Sequence, residues 1–470
     1  MAGQSATVTP QRGEPPIAHL VLPIQEFIHN SSASGIVLMA ATALALVIAN
    51  SPLADEYDAL LHAYIGISIG PFQLRENVLH WVNDGLMAIF FFLIGLEIKR
   101  EVRVGEFANP RAAILPIVAA IGGVAIPALL FTLLNAGGPG AAGWAIPMAT
   151  DIAFALGILA LLGNRIPFTL KIFLTAVAIV DDLIAVLVIA LFYSGSLNLV
   201  ALGFGFAVLG VLVLANLLGV RSTLVYIGLG VLVWLGFLQS GVHATIAGVL
   251  VALTVPARNR IDPSVFLDRI YSLTRRFEQS PLEPSTMVTD DVQQTVVIEL
   301  EEACEDVQAP LQKLEHSLHT WVQFLIVPIF ALANAGVPLS VGNVADGATP
   351  VMLGIVLGLV VGKFTGLLGL SYVAVRTGLA PLPEGVVWRH MVGVSFLAGI
   401  GFTMSLFIAS LGFGQSELLE AAKLGILGAS LIAGSIGFFL LPSTSPIEQT
   451  ASAADQAPRE KEHIQLAKHG

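Results

Sequence analysis

Long apolar runs separated by short polar breaks dominate this chain. They fall at about 34–51, 78–98, 113–134, 143–162, 168–193, 200–218, 223–238, 242–256, 318–335, 351–375, 390–412 and 420–441. A helix that crosses a bilayer needs roughly 17–25 mainly apolar residues, and most of these runs are long enough. The runs at 223–238 and 242–256 are short. They read either as two short spans or as one re-entrant hairpin. The pattern predicts an all-α polytopic membrane protein with about twelve transmembrane helices.

The polar stretches divide the chain further. Residues 1–33 form an amino-terminal tail with neither a basic nor an apolar leader pattern, so no cleaved signal is expected. Residues 34–256 hold helices 1–8. Within them, 52–77 carries partial alternation around Gly66 and Gly70-Pro71, which predicts a small external β-hairpin. Residues 257–312 form a long acidic loop, read as flexible except for an amphipathic helix at about 289–307. Residues 313–442 hold helices 9–12. The tail 443–470 is poor in apolar residues and reads as disordered.

Composition agrees with a membrane class. The 470 residues are 55% hydrophobic and 12% charged, with mean hydropathy +0.83, against about 25% charged in soluble domains. The single cysteine, Cys304, allows no internal disulfide and lies in a polar stretch. The net charge of −11 reflects the acidic loop and tails rather than a cationic partner. No nucleic-acid partner and no cofactor is expected.

Basic residues set the orientation. With twelve spans and a cytoplasmic amino terminus, the inner loops carry fifteen lysines and arginines and the outer loops only Arg75 and Lys423, tails excluded. That bias places both termini in the cytoplasm.

Four ionisable residues stand deep in apolar surroundings: Asp151, Asp181, Asp182 and Lys363. Each ion near a bilayer centre costs at least about 2.5–3.5 kcal/mol on insertion scales, so such residues mark ion or proton paths by default. Asp181 and Asp182 are adjacent and therefore point about 100° apart on a helix. One carboxylate can line an aqueous path while the other pairs with a lysine. Carboxylates are hard ligands that suit protons and Na⁺ or Li⁺. With no histidine or cysteine cluster beside them, a transition metal is disfavoured.

Two spans are weakened in distant parts of the chain. One is interrupted by Pro147 and Thr150-Asp151, the other by Gly399, Gly401, Thr403 and Ser405. Paired weak helices point to inverted repeats around a midplane site. At such a crossing Asp151 would offset positive helix ends, Lys363 negative ones, and Thr150 would cap an opened turn. Near the inner face, Glu97, Glu101, Glu315, His316 and His319 read either as a pH-responsive cluster or as ordinary interfacial charge. His243 reads as a packing or helix-end residue, and Asp84 as interfacial.

Ala149-Thr-Asp-Ile-Ala-Phe-Ala-Leu-Gly157, Ala178-Ile-Val-Asp-Asp-Leu183, Gly95-Leu-Glu-Ile-Lys-Arg-Glu101, Ser240-Gly-Val-His-Ala-Thr245, Gly362-Lys363 and Gly399-Ile-Gly-Phe-Thr-Met-Ser405 together resemble the NhaA-type bacterial sodium/proton antiporters. The family is a standard example of inverted-repeat architecture. The resemblance implies twelve helices, two of them discontinuous and crossing. It implies electrogenic, pH-regulated exchange of Na⁺ or Li⁺ for H⁺ by alternating access in the bacterial inner membrane. It assigns the cation and proton site to Asp182 with Asp181, dipole compensation to Asp151, and the interacting lysine to Lys363. It also implies a homodimer held partly by the hairpin, and pH sensing around Glu97, Glu101 and Glu315. Three departures stand out: Phe364 where the family usually has proline, Gln312 where a basic residue is expected, and the long 257–309 loop.

Two other classes compete. An intramembrane aspartyl protease needs two aspartates facing each other across a water, and Asp151 with Asp182 is the available pair. A channel or organic-solute symporter would use the same acids to bind Na⁺.

Overall fold

The computed structural model describes residues 33–69, 72–259, 261–279, 291–338 and 347–441. The two tails beyond 33 and 441, Gly70-Pro71 and the centre of the long loop lie outside the described residues.

The first part of the chain runs α1 (Ala33–Ala49), α2 (Ala54–Leu61), β1 (Tyr64–Ile69), β2 (Phe72–Asn77), α3 (Val78–Val104) and α4 (Pro110–Asn135). It continues with α5 (Pro139–Met148, wound as 3-10 turns), α6 (Ile152–Leu161), α7 (Phe168–Phe192), α8 (Leu199–Leu217), α9 (Thr223–Leu238) and α10 (Thr245–Thr254). Then come α11 (Pro263–Glu278), α12 (Asp291–Val307), α13 (Pro310–Asn334) and α14 (Ala348–Arg376). The chain closes with α15 (Trp388–Leu397), α16 (Phe402–Phe413) and α17 (Glu417–Leu440).

Seven described helices are long and apolar enough to cross a membrane, or ten if each of three bent pairs counts as one span. Helices α9 and α10 are apolar but shorter. The bent pairs are α1/α2 at 115°, α5/α6 at 42° and α15/α16 at 43°. The protein is therefore a multi-pass helical membrane protein. The strands pair antiparallel in one register, Tyr64 opposite Asn77 and Ile67 opposite Leu74.

Local sequence explains the ends. Asn109 caps α4, accepting from Arg111 N at 3.1 Å, and Pro110 takes the first helical position, where a missing N–H does no harm. Gly105 stops α3. Helix α8 buries only Gly205 and Leu212. The rest of its apolar surface faces outward, as hydrocarbon allows and water does not. By contrast α7 is buried along most of its length, including Asp181 and Asp182. It is the central post of the fold.

The closest helix contact joins α4 to α14. A Cβ on Gly122 would lie 2.2 Å from Gly366 O, so only paired glycines allow these backbones to meet. Membrane helices associate through such small residues because hydrocarbon offers no hydrophobic drive.

One segment differs from the sequence reading. Residues 263–278, expected to be flexible, form helix α11, and α11 packs against α12 as an antiparallel pair. Phe266, Ile270, Leu273 and Phe277 recur at three- and four-residue spacing, which gives α11 an apolar stripe. Pro263 stands at its first position, where proline starts helices rather than breaking them. Pro310 likewise stands at the start of α13.

Candidate functional site

The two broken helices meet at their breaks. Pro147 ends α5, and extended backbone at Ala149 and Asp151 separates it from α6. Gly399-Ile-Gly401 separates α15 from α16. Asp151 N donates to Ile400 O at 2.6 Å, and Ser405 Oγ donates to Ile146 O at 2.8 Å, so each break is stitched to the other chain segment.

Asp151 caps two helices with one carboxylate. Its Oδ1 accepts from Phe154 N at 2.9 Å, in the first turn of α6. Its Oδ2 accepts from Thr403 N at 3.0 Å and Thr403 Oγ1 at 2.6 Å, in the first turn of α16. Two positive helix ends, each worth about half a charge, thus share one anion. The expected cap Thr150 does something else. Its Oγ1 lies 2.7 Å from Asp181 Oδ2 and 2.8 Å from Ala398 O, at the carboxy-terminal end of α15. The cap on α6 is Asp151, because the extended backbone runs through it and the helix begins at Ile152.

Lys363 is wholly buried. Its Nζ donates to Asp181 Oδ2 at 2.6 Å and to Met148 O at 2.5 Å, the last carbonyl of α5. Both partners expected from sequence, the carboxylate and a negative helix end, are taken at once.

Asp182 differs from all of these. It is 1% exposed, and neither carboxylate oxygen has a hydrogen-bond partner among the described residues. Asp181 Oδ1 is likewise without a partner. An ionised carboxylate left bare in an apolar interior is costly, so a proton, a cation or water is the kind of partner this group could take. Among the described residues no group of three or more His, Cys, Asp or Glu side chains is arranged to hold a metal. A hard monovalent ion at Asp182 would draw its other ligands from carbonyls, hydroxyls and water.

A cavity of about 800 Å³ opens between α3, α6 and α7, lined among others by Arg100, Glu101, Lys171, Thr175 and Ile179. Lys171, Thr175 and Ile179 follow one another by a turn of α7. Asp182 falls on the same face one turn beyond, whereas Asp181 points about 100° away. The α7 residues that line the cavity thus share the face of Asp182 rather than that of Asp181.

At the end of α3 rich in basic residues, Arg100 bridges Glu315 and Glu101, its Nη2 lying 2.9 Å from Glu101 Oε1. His319 Nδ1 lies 3.8 Å from Glu97 Oε1. His316 is exposed and makes no hydrogen bond or ion pair among the described residues, so four of the five expected residues gather and one does not. Lys99 was not anticipated. Its Nζ donates to Leu253 O at 2.7 Å and Val255 O at 2.5 Å, closing the carboxy-terminal end of α10. At the opposite end of α3, Asp84 lies 3.3 Å from His80 Nδ1 and 3.9 Å from His243 Nδ1.

Sequence reasoning also missed Thr403 as the partner of Asp151. The signal was present: each break carries a short polar residue beside a position where backbone N–H groups would be exposed.

Fold and site together define a multi-pass membrane protein whose broken helices cross around a buried acid and amine set. A family model described as Na+/H+ antiporter 1 matches residues 25–441. A protein of Sulfurimonas denitrificans named Na(+)/H(+) antiporter NhaA is 47% identical over 424 residues, covering 90% of this chain and 95% of its own. Proteins of the same name from Koribacter versatilis and Oleidesulfovibrio alaskensis are 47% and 48% identical, over 93% and 91% of this chain and 97% and 95% of theirs. The chain belongs to the Na+/H+ antiporter 1 family. Its relatives are named as antiporters, which are secondary transporters rather than enzymes.

Proposed function

We propose that this protein exchanges cytoplasmic Na⁺ or Li⁺ for external H⁺ at Asp182, by alternating access and electrogenically. The observation that carries the reading is the buried Asp182 carboxyl with both oxygens unpartnered among the described residues, on the face of α7 that one turn earlier lines a cavity beside Arg100 and Glu101. Protons and the cation compete for the same carboxylate. A cation entering expels protons, and a proton returning expels the cation. Exchange follows if the site opens to one side at a time.

Asp181 and Lys363 supply the second element. With Asp182 empty of cation, Lys363 is held charged by Asp181 and by the end of α5. Sodium at Asp182 weakens that pair, Lys363 releases a proton, and more protons than sodium ions move per cycle. Asp151 keeps the breaks together throughout. The cluster of Glu97, Glu101, Glu315 and His319 around Arg100, of which Glu101 lines the cavity, tunes the pH response. The protein works as a homodimer in the bacterial inner membrane with both termini cytoplasmic, through twelve spans that include α9 and α10. The protease alternative loses its second acid, since Asp151 is spent on two helix ends.

Purified protein in liposomes tests the reading. An imposed Na⁺ gradient should move protons in the opposite direction with no organic solute present. Proton movement that needs an organic solute, or none at any pH, would refute it.

A further inference from the structure

Phe364 follows Lys363, and its ring lies on that of Phe396 with centroids 4.3 Å apart and planes 14° from parallel. The other aromatic pairs among the described residues are tilted or edge-on. Phe396 is the penultimate residue of α15, directly before the break. A second contact joins the same two segments. Residues Gly358–Gly362 of α14 form a π-helical turn, and a Cβ on Gly399 would lie 2.4 Å from Leu359 O. Backbone thus rests on backbone at the break, and ring rests on ring beside it.

Successive helical residues diverge by about 100°. The Lys363 amine therefore reaches inward to Asp181 and Met148 O while the Phe364 ring turns to the neighbouring helix. A lysine stem has four rotatable carbons and no intrinsic preference for this reach. At Gly123 it meets open space of ordinary contact width, a Cβ there lying 3.5 Å from Lys363 Cδ. That side sets no tight wall. The amine is held by its two acceptors, and its reach to them depends on where the backbone of Lys363 stands relative to the breaks.

We propose that Phe364 is a positioning residue for exchange: by stacking on Phe396 it locks the Lys363 backbone to the break between α15 and α16. The pair makes α14 and the broken helix move as one body, so Lys363 keeps its reach to Asp181 and to the end of α5 in both orientations of the site. This rests on the reading of Lys363 given above. The assignment has a specific consequence. The stack acts through the lysine, so it governs sodium affinity and the pH profile rather than membrane insertion.

The experiment is a double-mutant cycle in liposomes with Phe364→Ala, Phe396→Ala and the pair, joined by Phe364→Tyr, Phe364→Leu and Lys363→Gln. Each alanine variant should raise the half-saturating Na⁺ about two- to twelvefold, the range that one aromatic pair spans, and shift the pH of half-maximal exchange. The double variant should lose no more than the worse single, and tyrosine should restore parent values while leucine, of similar apolar bulk, should not. If the alanine variants fail to fold, the tyrosine and leucine pair carries the test alone. Additive losses, full rescue by leucine, or parent kinetics with only a lowered thermal midpoint would overturn the proposal. Lys363→Gln separates the two layers. If it abolishes exchange while Phe364→Ala keeps parent kinetics, the positioning role is wrong. If it retains exchange, the reading of Lys363 itself fails.

Discussion

Two helix pairs in this protein carry charge in opposite ways. At the crossing of α5/α6 with α15/α16 the charges are few, wholly buried, and shared among helix ends, one lysine and three aspartates. In the α11/α12 hairpin they are many and solvent-facing: Arg269 lies 3.4 Å from Asp306 and 3.7 Å from Glu302, and Arg276 lies 2.6 Å from Glu299. Exposed pairs contribute about 0.2–1 kcal/mol each. Breaking a buried pair by removing one partner costs about 3–5 kcal/mol. The same side chains are therefore decisive in one place and nearly neutral in the other, and chemistry can reside only where solvent does not supply a substitute.

The comparison is sharpest at Asp182. Asp182→Asn keeps the shape but removes both the charge for a cation and the proton at working pH. Exchange and Na⁺-dependent proton release should be abolished. Because the parent carboxyl has no partner, the amide should insert normally and unfold at a thermal midpoint no lower than the parent's. Substantial exchange by the folded variant would remove Asp182 from the centre.

Lys363 should behave in the opposite sense. Lys363→Gln leaves the Asp181 carboxylate without its counter-ion and with only the Thr150 hydroxyl beside it, so stability should fall by about 3–5 kcal/mol along with exchange. A paired Lys363→Met/Asp181→Leu variant should recover most of that stability and none of the exchange. Lys363→Arg keeps a charge that cannot be shed, so it should fold yet fail in electrogenic exchange. A membrane-potential-dependent rate equal to the parent's would leave the lysine a structural role only.

Asp151 should come third. Loss of an N-cap costs about 0.5–2 kcal/mol, and Asp151→Ala removes caps from α6 and α16 together. A lower thermal midpoint and slower exchange are expected, without abolition. Asp151→Asn, whose single amide oxygen can accept at only one of the two helix ends because its NH2 cannot accept at the other, should lie between. Equal midpoints for parent and alanine variant, measured in detergent, would show that the crossing does not depend on the shared cap.

How far the sequence reached follows from the same physics. Ions in an apolar run are improbable enough that Asp151, Asp181, Asp182 and Lys363 stood out without any structure. Proline and glycine placed both breaks. Backbone acceptors did not stand out: Met148 O and Ala398 O are defined by where a helix stops, which only the crossing reveals. His316 and His319 look equivalent in a list of titratable residues, yet three residues on a helix turn one toward Glu97 and the other to solvent. Helix α11 was hidden because a long charged loop was read as flexible in a stretch whose apolar spacing said otherwise.

The hairpin should give the smallest effect. Its helices pack chiefly on each other, and its ends are already joined beneath it, since Leu311 N donates to Pro256 O at 3.1 Å. Removing 262–306 therefore cuts a loop out of a closed neck and leaves α10 and α13 in register. The four intramembrane charges and both breaks lie outside the deleted segment. The maximum exchange rate should stay within about twofold of the parent's, well inside 1 kcal/mol of barrier height. Arg276→Ala should change even less, by about 0.2–1 kcal/mol of local stability, screened further by salt. The neck itself holds the informative contact, the Lys313 ion pair with Glu305. Deletion frees Lys313 three residues from His316, two from Glu315, on the helix that gives Glu315 and His319 to the Arg100 cluster. A shift in the pH of half-maximal exchange at constant maximum rate is the one change expected. Loss of insertion or of maximum rate on deletion would show that the hairpin braces the membrane core instead of standing clear of it.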